Sequence, residues 1–211
     1  MPTTLAVLFL VLVVVNFIGT QIFKRYADAK LEAMYAEGRY DDAIDFLDSW
    51  LLRVVMSTYK QYYLRFGIYE AAENTFAAGR MLDHLLNMKV SKDKRADLLA
   101  RAFNFYVQSH SKKQAKDMLE QMDGVVDPRV IADCKQTYGI VFQGDHSHIK
   151  QMEAMLPKAN PLVKGKLYFL LSRQYMNLGN KSKAKQYERL MNEMTRRPER
   201  PQAAKTDRPE D

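Results

Sequence analysis

Five short polar breaks divide most of this chain at nearly equal intervals: Glu37-Gly38-Arg39-Tyr40-Asp41, Glu73-Asn74-Thr75, Ser109-His110-Ser111-Lys112, Gly144-Asp145-His146-Ser147 and Gly179-Asn180-Lys181-Ser182. A small or aliphatic residue follows each break, at Ala43, Ala78, Ala115, Ile149 and Ala184, with separations of 35, 37, 34 and 35 residues. A period in this range signals a supersecondary unit that stacks on copies of itself. The stretches between breaks are poor in Gly and Pro and carry apolar residues at helical spacing, such as Ala43, Phe46, Leu47, Trp50, Leu51 and Val54, or Leu98, Leu99, Ala102, Phe103 and Tyr106. Each unit therefore reads as two helices joined by a turn, with both stripes as core. Asp41, Ser111, Ser147 and Ser182 stand where caps for the second helices are expected. Pro128 and Pro161 suit the first turn of a helix, where a missing N–H costs little.

Ahead of the periodic region, Leu5 to Phe23 reads LAVLFLVLVVVNFIGTQIF and carries no charge. At about 1.5 Å per residue it spans roughly 28 Å, close to the thickness of a hydrocarbon core. Residues 1–23 are thus expected to form a transmembrane anchor. Ala27-Asp28-Ala29 imitates a signal-peptide cleavage site, but Met1–Thr4 holds no Lys or Arg and the apolar run is longer than the usual h-region, so the span is expected to stay on the protein. Lys24, Arg25 and Lys30 follow the span directly, which by the positive-inside rule places the remainder in the cytoplasm. Within the span, Asn16 is a candidate contact to another helix.

The charge is unevenly placed. The chain has 32 basic and 25 acidic residues, a net charge of +7. Between Pro161 and Arg197 there are nine Lys or Arg against Glu188 and Glu193, so 9 − 2 = +7 and this segment accounts for the whole excess. Lys181, Lys183, Lys185 and Arg189 bracket its turn and final helix and form a candidate basic rim. Residues 197–211 lack large apolar side chains and read as a disordered charged tail.

The turn chemistry and spacing resemble the tetratricopeptide repeat family. The fifth unit carries Tyr168, Leu171, Ser172, Tyr175, Ala184 and Met191. The first has Gly38-Arg39-Tyr40-Asp41-Asp42-Ala43 and then Leu47, and the third Leu99, Ala102, Phe103, Tyr106, Ala115 and Leu119. The resemblance covers residues 24–196 and implies an all-α solenoid of about five helix pairs behind the membrane helix, with the anchor running unbroken into the first repeat helix. It also implies that the first helix of each pair lines a concave face. On this chain that face takes Arg25, Asp28, Glu32, Lys60, Tyr63, Asn104, Gln108, Tyr138, Phe142, Lys166, Phe169, Arg173 and Asn177. The early acidic positions argue against a carboxylate clamp and point instead to an extended or helical protein segment with apolar anchors.

Signatures of catalysis are missing: there is no Walker loop, dinucleotide fingerprint, serine elbow or HExxH. His146 and His148 sit in a turn without a third ligand, and the single Cys134 falls in a helix, so no metal, cofactor or reactive thiol is expected. The sequence thus supports a non-enzymatic, membrane-tethered adaptor or assembly protein whose groove binds other proteins. A structural subunit of a larger membrane complex is the alternative, and no nucleic-acid motif is present.

Overall fold

The computed structural model describes residues 2–195; the expected tail at 197–211 lies outside them. Among the described residues the chain is all helical: α1 (Pro2–Ala36), α2 (Tyr40–Asp48), α3 (Trp50–Val55), α4 (Thr58–Ala71), α5 (Thr75–Leu86), α6 (Lys92–Gln108), α7 (Lys112–Gln121), α8 (Pro128–Phe142), α9 (Ile149–Met155), α10 (Pro161–Asn177) and α11 (Lys181–Thr195). The fold divides into two compact units, Met1–Phe105 and Tyr106–Asp211.

Each of the five breaks is closed by one residue in the left-handed region: Gly38 (φ 69°), Glu73 (φ 58°), His110 (φ 55°), Gly144 (φ 79°) and Gly179 (φ 82°). Their spacing of 35, 37, 34 and 35 repeats the sequence period. In four breaks the next amide reaches back five residues: Arg39 to Met34, Asn74 to Tyr69, Ser111 to Tyr106 and Asn180 to Tyr175, at 2.8–2.9 Å. This is the Schellman closure, which satisfies the last helical carbonyls and reverses the chain at once. In the remaining break Asp145 reaches back six residues, to Gly139. Glu73 bears a side chain in a conformation that favours glycine. Glu73→Gly is therefore expected to raise stability by about 0.5–1 kcal/mol in denaturant titrations followed by circular dichroism.

The Schellman turns move the helix starts, which corrects the expected caps. Arg39 and His148 occupy the cap positions of α2 and α9, neither with a side-chain cap bond, so Asp41 and Ser147 do not cap. Asn180, not Ser182, caps α11 through the Lys183 amide (3.1 Å). Ser111 sits at the cap position of α7 without making the side-chain bond. Pro128 and Pro161 do open α8 and α10, capped by Asp127 and Asn160.

In the first unit, Ala27, Leu31, Met34, Ala43, Leu47, Leu52, Met56 and Ile68 form one buried cluster, with Phe23, Tyr40, Ile44, Phe46 and Leu64 at its edge. The expected stripe from Ala43 to Val54 does not hold beyond Leu47. Ser49 is extended (φ −58°, ψ 138°), so the helix stops at Asp48 and restarts at Trp50 in a new phase. Leu52 becomes the buried residue, and Trp50 and Val54 are both 75 % exposed. The bend is fastened by Asp48, whose Oδ1 receives Arg65 (2.8 Å) and Arg53 (2.9 Å). Hydrogen bonds from Arg65 and then Arg53 hold that carboxyl below the usual carboxylate range. Gln61 Nε2 donates to the carbonyls of Met56 (3.0 Å) and Arg53 (3.3 Å), covering the free end of α3.

In the second unit Ile140, Met152, Leu167, Leu170, Leu171, Tyr175 and Ala184 form the core around α10. Gln174 is fully buried; its Oε1 accepts the His148 amide (2.9 Å) and its Nε2 faces Met152 Sδ (3.2 Å). Asn177, one turn on, donates to the carbonyls of Ile140 (2.8 Å) and Asp145 (2.9 Å). Helix α10 therefore pins the connection that follows α8 along its length.

Candidate functional site

Helix α1 is long and apolar enough to cross a membrane. Every large apolar side chain described from Val7 to Ile22 is roughly half or more exposed, and no other element among the described residues covers them. Thr20 donates its hydroxyl to the Asn16 carbonyl (2.8 Å), so that polar group is satisfied within the helix itself.

Immediately beyond this segment the first unit holds a cleft of about 430 Å³. Its lining comes wholly from α1 (Asp28, Leu31, Glu32, Tyr35), α4 (Lys60, Tyr63, Leu64, Gly67, Ile68) and α6 (Arg101). Those are the first helices of three successive pairs. On α1 and α4 the lining residues recur at spacings of three and four, so each of these helices turns one face inward, and α6 adds Arg101. Leu31, Leu64 and Ile68 make the apolar floor and belong to, or edge, the buried cluster.

The cleft's charges are mostly committed. Lys60 Nζ bridges both oxygens of Asp28 (2.7 and 2.8 Å). Tyr63 donates to Asp97 (3.0 Å) and stacks against Tyr59 (centroids 5.8 Å apart). Arg101 lies over the rings of Tyr63 (4.6 Å) and Phe66 (4.8 Å) and bonds Glu70 (3.1 Å). Burial opposes its charge, but the neighbouring Tyr63 and Glu70 outweigh that and hold the guanidinium pKa above its ordinary value. Gly67 makes the room: a Cβ there would lie 2.9 Å from Arg101 Nη2. Glu32 makes no ion pair among the described residues and is exposed at the rim beside Tyr35. The result is an aromatic and apolar trough with one uncommitted carboxylate.

Of the residues expected on the concave face, Asp28, Glu32, Lys60 and Tyr63 come together here; Arg25 does not line the cleft. Asn104 and Gln108 are exposed on α6. In the second unit, Tyr138 is only 8 % exposed and packs on the half-buried Phe142 (5.1 Å), so it is largely core rather than groove. Lys166 pairs with Asp133. Arg173 lies over Phe169 (5.5 Å) and meets His110 Nε2 (3.2 Å). Asn177 is spent on the loop it pins. Arg101, Gly67 and Tyr35 were not among the expected residues. The signal for Tyr35 was its place one turn beyond Glu32 on the same helix.

Three of the four residues of the basic rim divide between two settings. Lys181 and Lys185, with Arg173, border a hollow of about 240 Å³ floored by Phe169, Met176, Ala184 and Met191, with Glu188 opposing them. Lys183 turns elsewhere: it donates to the Tyr175 hydroxyl (3.0 Å), which donates to Glu153 (2.7 Å), which also accepts Tyr187 (2.9 Å). The Tyr175 hydroxyl raises the Lys183 pKa and lowers that of Glu153; burial and then Glu153 push the Tyr187 phenol well above its ordinary range. Arg189 is exposed.

His148 Nε2 lies 3.2 Å from Asp145, and no cluster of three or more metal-ligating side chains is found among the described residues. Cys134 is buried, and burial, then Asp133, push its thiol up to about 11. No family model, no curated protein and no solved structure matches the chain.

Proposed function

We propose that this chain is a single-pass, membrane-tethered adaptor or assembly protein, tetratricopeptide-like in its repeats, that holds a segment of another protein in the cleft of its first unit. The observation that carries this reading is the origin of the lining: ten residues from three first helices and none from the intervening ones. That alternation is how stacked helix pairs generate a shared binding face. The occupant fitting it is a helical or extended segment that places an apolar side chain over Leu31, Leu64 and Ile68 and a Lys or Arg beside Glu32. The exposed apolar column of α1 supports the anchor, since an unbroken surface of that kind is not maintained in water. Lys24, Arg25 and Lys30 favour a cytoplasmic cleft. Tethering then raises the local concentration of adaptor around partners in the same membrane.

The test is site-specific photo-crosslinking in the full-length protein in its native membrane. A photoreactive residue at Tyr35 is expected to give discrete protein adducts that Glu32→Lys abolishes, while the same residue at Phe76, 78 % exposed on α5, gives none. Equal labelling at both positions, or adducts indifferent to Glu32→Lys, would overturn the cleft as the binding site. Stoichiometric co-purification in mild detergent would favour a structural subunit over an adaptor. Protease added outside intact cells should leave the helical units uncut.

A further inference from the structure

We infer that α3 is a membrane-interface element, seating Trp50 and Val54 in the lipid headgroup layer beside the exit of the span; this rests on the reading of α1 as the anchor. Trp50 and Val54 are one turn apart on one face and are both 75 % exposed. What singles out this exposed Trp–Val face is the height of α3 along α1. Helix α2 runs back antiparallel to α1: Tyr35 meets Tyr40 (5.9 Å), and Lys30 lies over Phe46 (4.3 Å). The paired numbers sum to 75 and 76, so the chain comes level with Tyr26 as it reaches Trp50. Past the Ser49 bend, α3 still packs on α1, with Leu52 in the same cluster as Ala27 and with Phe23 at its edge.

Tyr26 lies three residues beyond Phe23, where the uncharged run ends, or about 4.5 Å along the helix. The polar layer on each side of a bilayer is about 5–8 Å deep. Trp50 therefore falls inside that layer, neither in hydrocarbon nor clear of the membrane. The surroundings match it: Tyr26 is 55 % exposed, and Lys24 and Arg25, the two residues before it, supply positive charge at the same level. Indole and phenol rings with basic neighbours are what this layer favours. Two attachments, the span and α3, then fix how the first unit leans on the bilayer.

Trp50 is the only tryptophan in the chain, so it reports on itself. The full-length protein is reconstituted in phosphatidylcholine–phosphatidylglycerol vesicles containing lipids brominated at defined acyl positions. Trp50 emission is expected to be blue-shifted, and quenched more by bromines near the carbonyl end of the acyl chain than near its methyl end. Val54→Asp is expected to cut that quenching by about half, without loss of helicity or of resistance to alkaline carbonate extraction. Water-like, unquenched emission from protein that resists extraction would overturn the inference and leave the anchor standing. Blue-shifted emission that no brominated lipid quenches would also overturn it, showing that protein covers Trp50. Release by carbonate would instead reject the anchor, and this inference with it.

Discussion

Ala43→Glu is expected to destabilise the first unit by about 3–5 kcal/mol. Ala43 is fully buried on α2 in a cluster with Ala27 of α1, also fully buried. Two small side chains at a helix contact permit a close approach. A glutamate there must either part the helices or carry its carboxylate into an apolar core, and both are costly. Chemical denaturation of the full-length protein in detergent, followed by circular dichroism, measures it. Phe76→Glu on an exposed face serves as the control and should lie within about 0.5 kcal/mol of wild type. Ala184, 2 % exposed, holds the equivalent place in the second unit and should behave alike. Wild-type stability for Ala43→Glu would mean that the repeat register is wrong.

Gln174→Ala is expected to cost about 2–4 kcal/mol, divisible into two parts. The alanine empties a packed site and strips the His148 amide of its acceptor. Gln174→Leu refills most of the volume and loses only the hydrogen bonds, so it should cost about 1–3 kcal/mol. The same denaturation measurement on both variants separates cavity from orphaned amide. Equal stability of Gln174→Leu and wild type would show that the amide satisfies nothing of consequence.

The five reversals were readable in the sequence because each needs a left-handed residue after a helix, and Gly38, Gly144 and Gly179 advertise three of them. Glu73 and His110 gave no such sign; the period and the polar neighbours located those two. The caps were misplaced for a related reason. A Schellman turn uses up its break so quickly that Asp41 already lies inside the first turn of α2, where its charge meets the helix dipole instead of capping. The bend at Ser49 is masked in the sequence, because the apolar residues on either side keep a helical rhythm across it. The hint was a serine, a good helix-capping residue, in the middle of the stripe. Four of the ten residues lining the cleft, Asp28, Glu32, Lys60 and Tyr63, are legible from positions on first helices. Arg101 is not, because its place depends on the absence of a side chain at Gly67, more than thirty residues away.

Helix α1 is one rod of 35 residues, about 52 Å long. Asn16 rides on it together with Asp28, Leu31, Glu32 and Tyr35. Successive residues advance by about 100° around the axis, so the average bearing of those four lies roughly 110° from that of Asn16. If α1 crosses a bilayer as proposed, a neighbouring span that engaged the Asn16 amide would set the compass direction of the cleft beyond the lipid. The mouth would then open toward the flank of that neighbour, and turning the rod by one residue's worth of rotation would swing it through the same angle.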